Sequence, residues 1–355
     1  MKLLIITQKV DRNDPILGFF HRWVIEFAKH FESIAVICLF EGEHNLPANV
    51  KVLSLGKEEG GARISKTLRY IVRFYNYIWR ERKNYDAVFV HMNPIYVVLG
   101  GVLWRMWKKK ISLWYTHKSV DLKLRVAEKF AHTIFTASRE SFRLPSKKVF
   151  VMGHGIDCDQ FKPDVRENDD ILRIITVGRI APVKNYETLM EALAIIAHEN
   201  IHFTLEVVGV PATKEDELYN IHIRSLIQAK DIDPYIVFAG KIPHHELLGH
   251  FKKADIFVNL SETGSLDKAI LEAMACGLMV VTSNEAFEEI LSEDKEILMF
   301  PHRDARALAD RLKKLGALNI DTRRALIKRL RRVIVEEHNI KILIPRIISH
   351  YETSQ

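Results

Sequence analysis

A chain of 355 residues, 48% of them apolar, is too long for one typical domain and comfortable for two, which excludes a disordered or fibrous protein. Its formal charge of +7 is uneven: residues 1–164 hold 27 Lys and Arg against 16 Asp and Glu, a balance of +11, and the remainder 25 against 29, a balance of −4. The basic half suits an anionic surface, either nucleic acid or acidic lipid headgroups.

Strand-like runs open the chain at KLLIIT and recur at SIAVICLF, VKVLSL, YDAVFVHM, KISLWY, TIFTAS and KVFVMG. Segments of helical period separate several of them, as in GFFHRWVIEFAKHF, and this alternation predicts a parallel sheet with helices on both faces. The first strand begins at Lys2 and is too short for the apolar core of a signal peptide, which argues against export. The longest apolar stretch, Val88 to Trp104, holds His91, Asn93, Pro94 and two glycines. It reads as strand, turn and buried helix, and no transmembrane segment is expected. Cys38, Cys158 and Cys276 have no paired spacing and are expected to be reduced, structural thiols of a cytoplasmic protein.

Gly18, between the first strand and the first helix, would let the backbone approach a ligand closely, or would only satisfy a turn. Two basic aromatic segments follow, Arg63 to Lys83 and Trp104 to Lys110. Their interleaved cations and apolar residues suit a helix lying on an anionic membrane, which would make the protein peripheral on its inner face; an amphipathic helix with a solvated basic face would look the same. Nucleic acid would use the same charges, but there is no RNA-binding motif or zinc-ligand spacing, and no nucleic-acid partner is expected. His117, in SLWYTHKS, falls just beyond a strand end, where α/β domains hold their ligands, with Lys118 beside it. A satisfied surface histidine would fit the same pattern. The segment GHGIDCDQFKPDVRENDD, which includes His154, reads as the linker between two domains.

From Ile171 the alternation restarts with LRIITVG, a helix at NYETLMEALAIIAHEN, FTLEVVG, a helix near Leu218 to Ala229, IVFAG, a short helix at HHELLGHFKKA, DIFVNL and MVVTS. The last helix, roughly Ile340 to Tyr351, is expected to kink or shorten at Pro345. The sixteen histidines are scattered, and His244 with His245 lacks a carboxylate or Cys partner at ligand spacing, so no metal is expected.

Two loops in this second half carry the chemistry. VGRIAPVKN, Val177 to Asn185, follows a strand and opens a helix; SETGSLDKAILEAMACG, Ser261 to Gly277, does the same. After the turn at Gly178, Arg179 and Lys184 offer two cations suited to a diphosphate near a helix N-terminus, or are solvated loop cations. Glu272 sits among apolar helix residues and would accept from a ribose hydroxyl, or form a salt bridge on the helix face. Gly264, Ser265 and Leu266 precede that helix with amides that could face phosphate oxygens, Asp267 is a candidate N-cap, and Lys268 adds a cation at the helix start.

GR-x(4)-K after a strand, followed by LEAMACG, resembles the donor domain of the family-4 glycosyltransferases, and GHGID before FKP is similar to the family's hinge signature NGVD-x(3)-F-x-P. The resemblance covers nearly the whole chain and is strongest over Val177 to Asn185 and Leu260 to Ser283. It implies a GT-B architecture, two Rossmann-like doubly wound domains facing across a cleft. Residues 1–164, with a terminal helix at about 338–355 packing back, would form the acceptor side, and 165–337 the nucleotide-sugar domain. It also implies sugar transfer with retention of configuration; no cofactor is expected, and no metal is needed if the two cations and a helix end neutralise the leaving diphosphate. The donor would be GDP-mannose or a UDP-linked hexose, and the acceptor a glycan or lipid-linked precursor.

The resemblance assigns catalysis to His117, Arg179 and Lys184, the ribose to Glu272, and a donor contact to His154. The family usually carries a second Glu eight positions before the first, and here that position is Gly264; Glu262 or Asp267 could replace it. The departure also admits a non-catalytic binding protein, and the basic N-terminal half admits a membrane-surface or nucleic-acid adaptor.

Overall fold

The computed structural model describes residues 1–163, 171–261 and 264–352, with the backbone alone at residue 63. Two compact units emerge. Unit 1 comprises Met1–Gly155, the short segment Pro243–His245 and the chain from Ile340 onward; unit 2 comprises Ile156–Ile242 and Glu246–Asn339.

Unit 1 runs β1 (Lys2–Val10), α1 (Gly18–Ala28), β2 (Ser33–Glu41), β3 (Val50–Ser54), α2 (Arg63–Arg80), β4 (Ala87–His91), α3 (Ile95–Met106), β5 (Lys110–Trp114), α4 (Leu122–Phe130), β6 (Thr133–Thr136) and β7 (Val149–Val151). The strands form one parallel sheet in the order β3-β2-β1-β4-β5-β6-β7, with Leu3 of β1 opposite both Ile34 and Ala87. β1 is apolar on both faces because both faces are covered, as a buried parallel strand requires. Leu3 and Ile5 pack with Trp23 and Phe27 of α1, whereas Leu4 and Ile6 pack with Phe74 of α2 and Trp104 of α3. The strand order reverses between β1 and β4, and this is where open α/β sheets leave a crevice at the carboxyl ends.

Unit 2 runs β8 (Leu172–Val177), α5 (Tyr186–His198), β9 (Phe203–Val208), α6 (Lys214–Ala229), β10 (Ile236–Gly240), α7 (Leu247–Phe251), β11 (Ile256–Asn259), α8 (Lys268–Ala275), β12 (Met279–Thr282), α9 (Lys295–Leu298), α10 (Ala305–Gly316) and α11 (Ile320–Glu337). Its five strands are parallel in the order β10-β9-β8-β11-β12, so the reversal falls between β8 and β11. α6 starts four residues before the expected Leu218, because Thr213 and Asp216 form a reciprocal capping box at its N-terminus.

Two sequence expectations need correction. The first division falls at Gly155 and Ile156, ahead of the expected 164/165, whereas the second, at Asn339 and Ile340, lies close to the expected position at about 338. Ile156, Cys158 and Phe161 already belong to the core of unit 2, and the Ile156 amide donates to the His338 carbonyl at 2.7 Å. Pro345 does not shorten the last helix: α12 (Ile340–Glu352) runs unbroken with the proline inside it. Pro345 stands in the second turn, and Leu343, Ile344, Ile347 and Ile348 are buried in unit 1 around it, enough apolar burial to outweigh one lost backbone bond. Among the described residues no helix is long and apolar enough to cross a membrane.

Each unit also buries a histidine that must stay neutral. In unit 1, His91 is 1% exposed and stacks on Phe20 with ring centroids 3.9 Å apart, and burial pushes its pKa down to about 3. In unit 2, burial takes His338 down to about 4. The unfolded chain binds these protons from about pH 6.5 downward and the folded one does not, so the stability they permit is present above that pH and is lost on acidification. Each is expected to cost up to about 1.4 kcal/mol per pH unit between roughly pH 6 and 4.5. Urea unfolding at stepped pH checks this, and equal midpoints at pH 7 and pH 5 would contradict it.

Candidate functional site

Because β8 and β11 are neighbours, the two loops singled out in the sequence leave the sheet side by side at its switch point. Ile256 of β11 pairs with Ile174 and Phe257 with Ile175, so both strands deliver their loops at one edge.

The first loop is set by glycines. Gly178 has φ +153° and its amide donates to the Val208 carbonyl at 2.9 Å; Gly209, after β9, has φ +145° and donates to the Gly240 carbonyl at 2.8 Å. A short 3-10 turn at Pro182–Lys184 then leads into Asn185, whose left-handed conformation (φ 45°, ψ 54°) starts α5. Asn is among the few residues that tolerate this region.

The loop places its two cations differently. Arg179 is 46% exposed, with Nε 3.7 Å from the Asp216 carboxylate. Asp216 is occupied with capping α6, accepting from the Ala212 and Thr213 amides at 3.1 Å, so its hold on Arg179 is loose. Lys184 lies 2.5 Å from Asp267 across the gap between the loops and is 20% exposed. Asp267 does cap α8, accepting from the Ala269 amide at 3.3 Å, and also accepts from Asn259 at 2.9 Å. Burial raises the pKa of Asp267, but the Lys184 charge and these hydrogen bonds outweigh it and hold the carboxyl below its ordinary value. An ammonium has three donors, so Lys184 can stay on Asp267 and still offer two to a phosphate.

Within α8, Glu272 is 3% exposed and pairs with Lys268 one turn earlier. The salt bridge foreseen as the plain alternative for Glu272 is therefore present, and its partner is another of the candidate residues. Gly264 has φ +59°, and the Ser265 carbonyl accepts from Asn284 at 2.9 Å. Leu266 is buried at 8% exposure and anchors the loop. Glu262 lies outside the described residues.

The candidates of unit 1 are dispersed. Gly18 is the first residue of α1 and is buried; a Cβ there would stand 2.9 Å from the Arg12 carbonyl, so the chain itself makes the close approach. His117 is an exposed loop residue after β5 whose Nδ1 accepts from the Ser119 amide at 3.1 Å. His154 is 8% exposed beside Gly155, whose carbonyl accepts from the Trp23 indole at 3.0 Å. A Cβ on Gly155 would meet Leu343 and Trp23 at 2.8 Å, which explains the glycine in GHGID through packing.

Several members of the unit 2 cluster were not singled out in the sequence. Asn259 closes β11 at 3% exposure and joins Asp267 to the Ser261 amide. Asn284 holds the Ser265 loop. Asn185 is 7% exposed, and its Nδ2 finds no acceptor among the described residues. An Asn between a strand loop and a helix was a readable signal for the last; the roles of the other two depend on which strands are neighbours.

Residues 172–317 match the family model described as "Glycosyl transferases group 1". WcaL of Escherichia coli, assigned as a glycosyltransferase of colanic acid biosynthesis, is 27% identical over 231 residues, 63% of this chain and 54% of WcaL. A component of the phosphatidylinositol N-acetylglucosaminyltransferase of Arabidopsis thaliana is 27% identical over 193 residues, 53% of this chain and 41% of that protein. The chain thus spans about half the length of the curated relatives it matches. Among solved structures, HepE of Anabaena, crystallised with UDP and glucose, aligns with TM-score 0.77 at 15% identity over 99% of this chain and 100% of its own. Sucrose-phosphate synthase of Thermosynechococcus elongatus aligns with TM-score 0.77 at 17% identity over 99% and 98%. At such identities the likeness is one of fold, and the two parallel-sheet units are those of the GT-B fold.

Proposed function

Because the chain belongs to the family-4-type glycosyltransferases, with the group 1 region at residues 172–317, we propose that it transfers a glycosyl group from a nucleoside diphosphate sugar to an acceptor, with retention of configuration. The observation that carries this reading is the meeting of the β8 and β11 loops, with Lys184 2.5 Å from Asp267 and Arg179 half-exposed beside them. The leaving diphosphate gains negative charge as the glycosidic bond breaks. Two cations next to the start of α5, Lys184 held by Asp267 and Arg179 more loosely, stabilise that charge more than they stabilise the bound donor, which is what lowers the barrier. They supply the charge a metal would otherwise bring, so the reaction proceeds without one.

Glu272, already held by Lys268, accepts from the ribose, and His117 is assigned to the sugar beside the reacting carbon. The acceptor, a glycan or lipid-linked precursor, is assigned to the basic unit 1. For the base of the donor, uracil leads guanine, since HepE was crystallised with UDP and glucose. One observation favours a second reading: Gly264, at φ +59°, has no side chain to offer the sugar, which suits a protein that binds a nucleotide without turnover.

A thermal-shift screen against UDP, GDP, ADP and dTDP, with and without divalent metal, tests the donor. One nucleotide is expected to raise the melting temperature regardless of metal, because a ligand that binds only the native state stabilises it. No shift with any of them at millimolar concentration would remove the proposal. A shift without transfer from the matching nucleotide sugar to any lipid-linked glycan would select the binding-only reading.

A further inference from the structure

We propose that unit 1 docks on an anionic lipid bilayer through the joined outer faces of α2 and α3. α2 is apolar on two faces. Phe74 and Ile78 face inward and are buried at 1% and 0% exposure. Ile64, Leu68, Val72 and Trp79 form a second stripe along the helix and are 86%, 62%, 57% and 53% exposed. Spacings of four, four and seven residues keep that stripe on one side of a 3.6-residue helix. α3 extends it with Val102 and Met106, 53% and 71% exposed and one turn apart. The two helices lie side by side: the Tyr75 hydroxyl donates to the Leu99 carbonyl at 3.0 Å, and the Trp79 and Trp107 rings meet edge-on at 5.6 Å.

A contiguous patch of large apolar side chains is a contact surface awaiting a partner. Its charge says which. Residues 63–83 hold seven Lys and Arg against one acid, Glu81, which is paired with Lys51 at 2.7 Å; Glu59 takes up Arg69 and Arg73, and the segment keeps a net positive charge. Arg82 lies over the Trp79 ring at 4.6 Å. At the far end of α3, Lys108 is exposed beside Met106. Apolar side chains flanked by cations, with a tryptophan at the boundary, match a surface whose acyl region lies beneath a negatively charged headgroup layer. The inference adds a partner to the proposed transferase and does not depend on donor binding.

The test is sedimentation of the full chain with vesicles of phosphatidylcholine alone and with about 30% phosphatidylglycerol, at roughly 0.1 M and 0.5 M salt. Binding is expected to be at least about tenfold tighter to the anionic vesicles and to weaken at the higher salt. The Leu68→Ser, Trp79→Ser double variant is expected to bind them at least about tenfold more weakly. Both side chains are more than half exposed and lie outside the donor loops, so the variant should stay folded and keep its nucleotide shift, which separates failure here from failure of the donor reading. Equal binding to both vesicles, wild-type binding by the double variant, or retention on RNA without binding to vesicles would each overturn the proposal.

Discussion

Replacing Arg179 with Ala is expected to lower sugar transfer about 100- to 1000-fold while leaving stability within about 0.5 kcal/mol of wild type. The separation follows from how the side chain is held. Arg179 is 46% exposed and lies 3.7 Å from the Asp216 carboxylate, so its removal opens no cavity, and the buried Asp216 keeps the Ala212 and Thr213 amides. Lys184→Ala is expected to cost a similar factor in transfer and, unlike Arg179→Ala, to destabilise the fold. It leaves the Asp267 carboxylate, 19% exposed, without its cation. Removing one partner of a buried pair costs about 3–5 kcal/mol, but Asp267 keeps Asn259 and the Ala269 amide, so about 1–3 kcal/mol is expected. Adding Asp267→Asn to Lys184→Ala should recover most of that stability without recovering transfer. Urea unfolding and initial rates on the four members of this cycle separate the two effects. A folded Arg179→Ala protein transferring at the wild-type rate would remove the diphosphate assignment.

The fold was largely legible because its signals are local. LLII in β1 and IFV in β11 are continuous apolar runs, and such runs alternating with helical periods leave few options besides parallel sheets. The limits of the units were less legible. GHGIDCDQFKP looks like linker by composition, yet Ile156 and Phe161 are buried, because a polar segment can carry its few apolar residues into a core. Of the two effects expected of Pro345, the shortening does not occur: four buried Ile and Leu side chains carry the helix through the proline. At the site, Arg179, Lys184 and Glu272 could be picked out by spacing. The Lys184 to Asp267 pair spans 83 residues and exists only because β8 neighbours β11, a fact of strand order that no window of sequence contains. His117 shows the reverse case. Its position after β5 was correctly read as a loop, but its exposed ring and local bond to Ser119 are what any surface histidine would show, so its role rests on the proposal and not on its own surroundings.

The same strand order makes Gly209 the position where one methyl group should do most damage. It has φ +145°, and a Cβ there would lie 1.9 Å from the Gly178 carbonyl oxygen and 2.8 Å from its carbon. The obstacle is backbone, so no side chain can rotate away, and relief requires moving the Gly178–Arg179 peptide that aims the guanidinium. Gly209→Ala is expected to destabilise the protein by about 3 kcal/mol or more and to abolish the nucleotide-induced thermal shift. Gly240 supplies the control. It also has a positive φ, +76°, but a Cβ there meets nothing within 4 Å. Gly240→Ala should therefore show only the cost of a left-handed backbone, about 1–2 kcal/mol, and should keep its nucleotide shift. Urea unfolding and thermal shift on the two variants decide the matter: a common destabilisation with nucleotide binding retained in both would mean that the β8 loop is not held in place by its contact with β9.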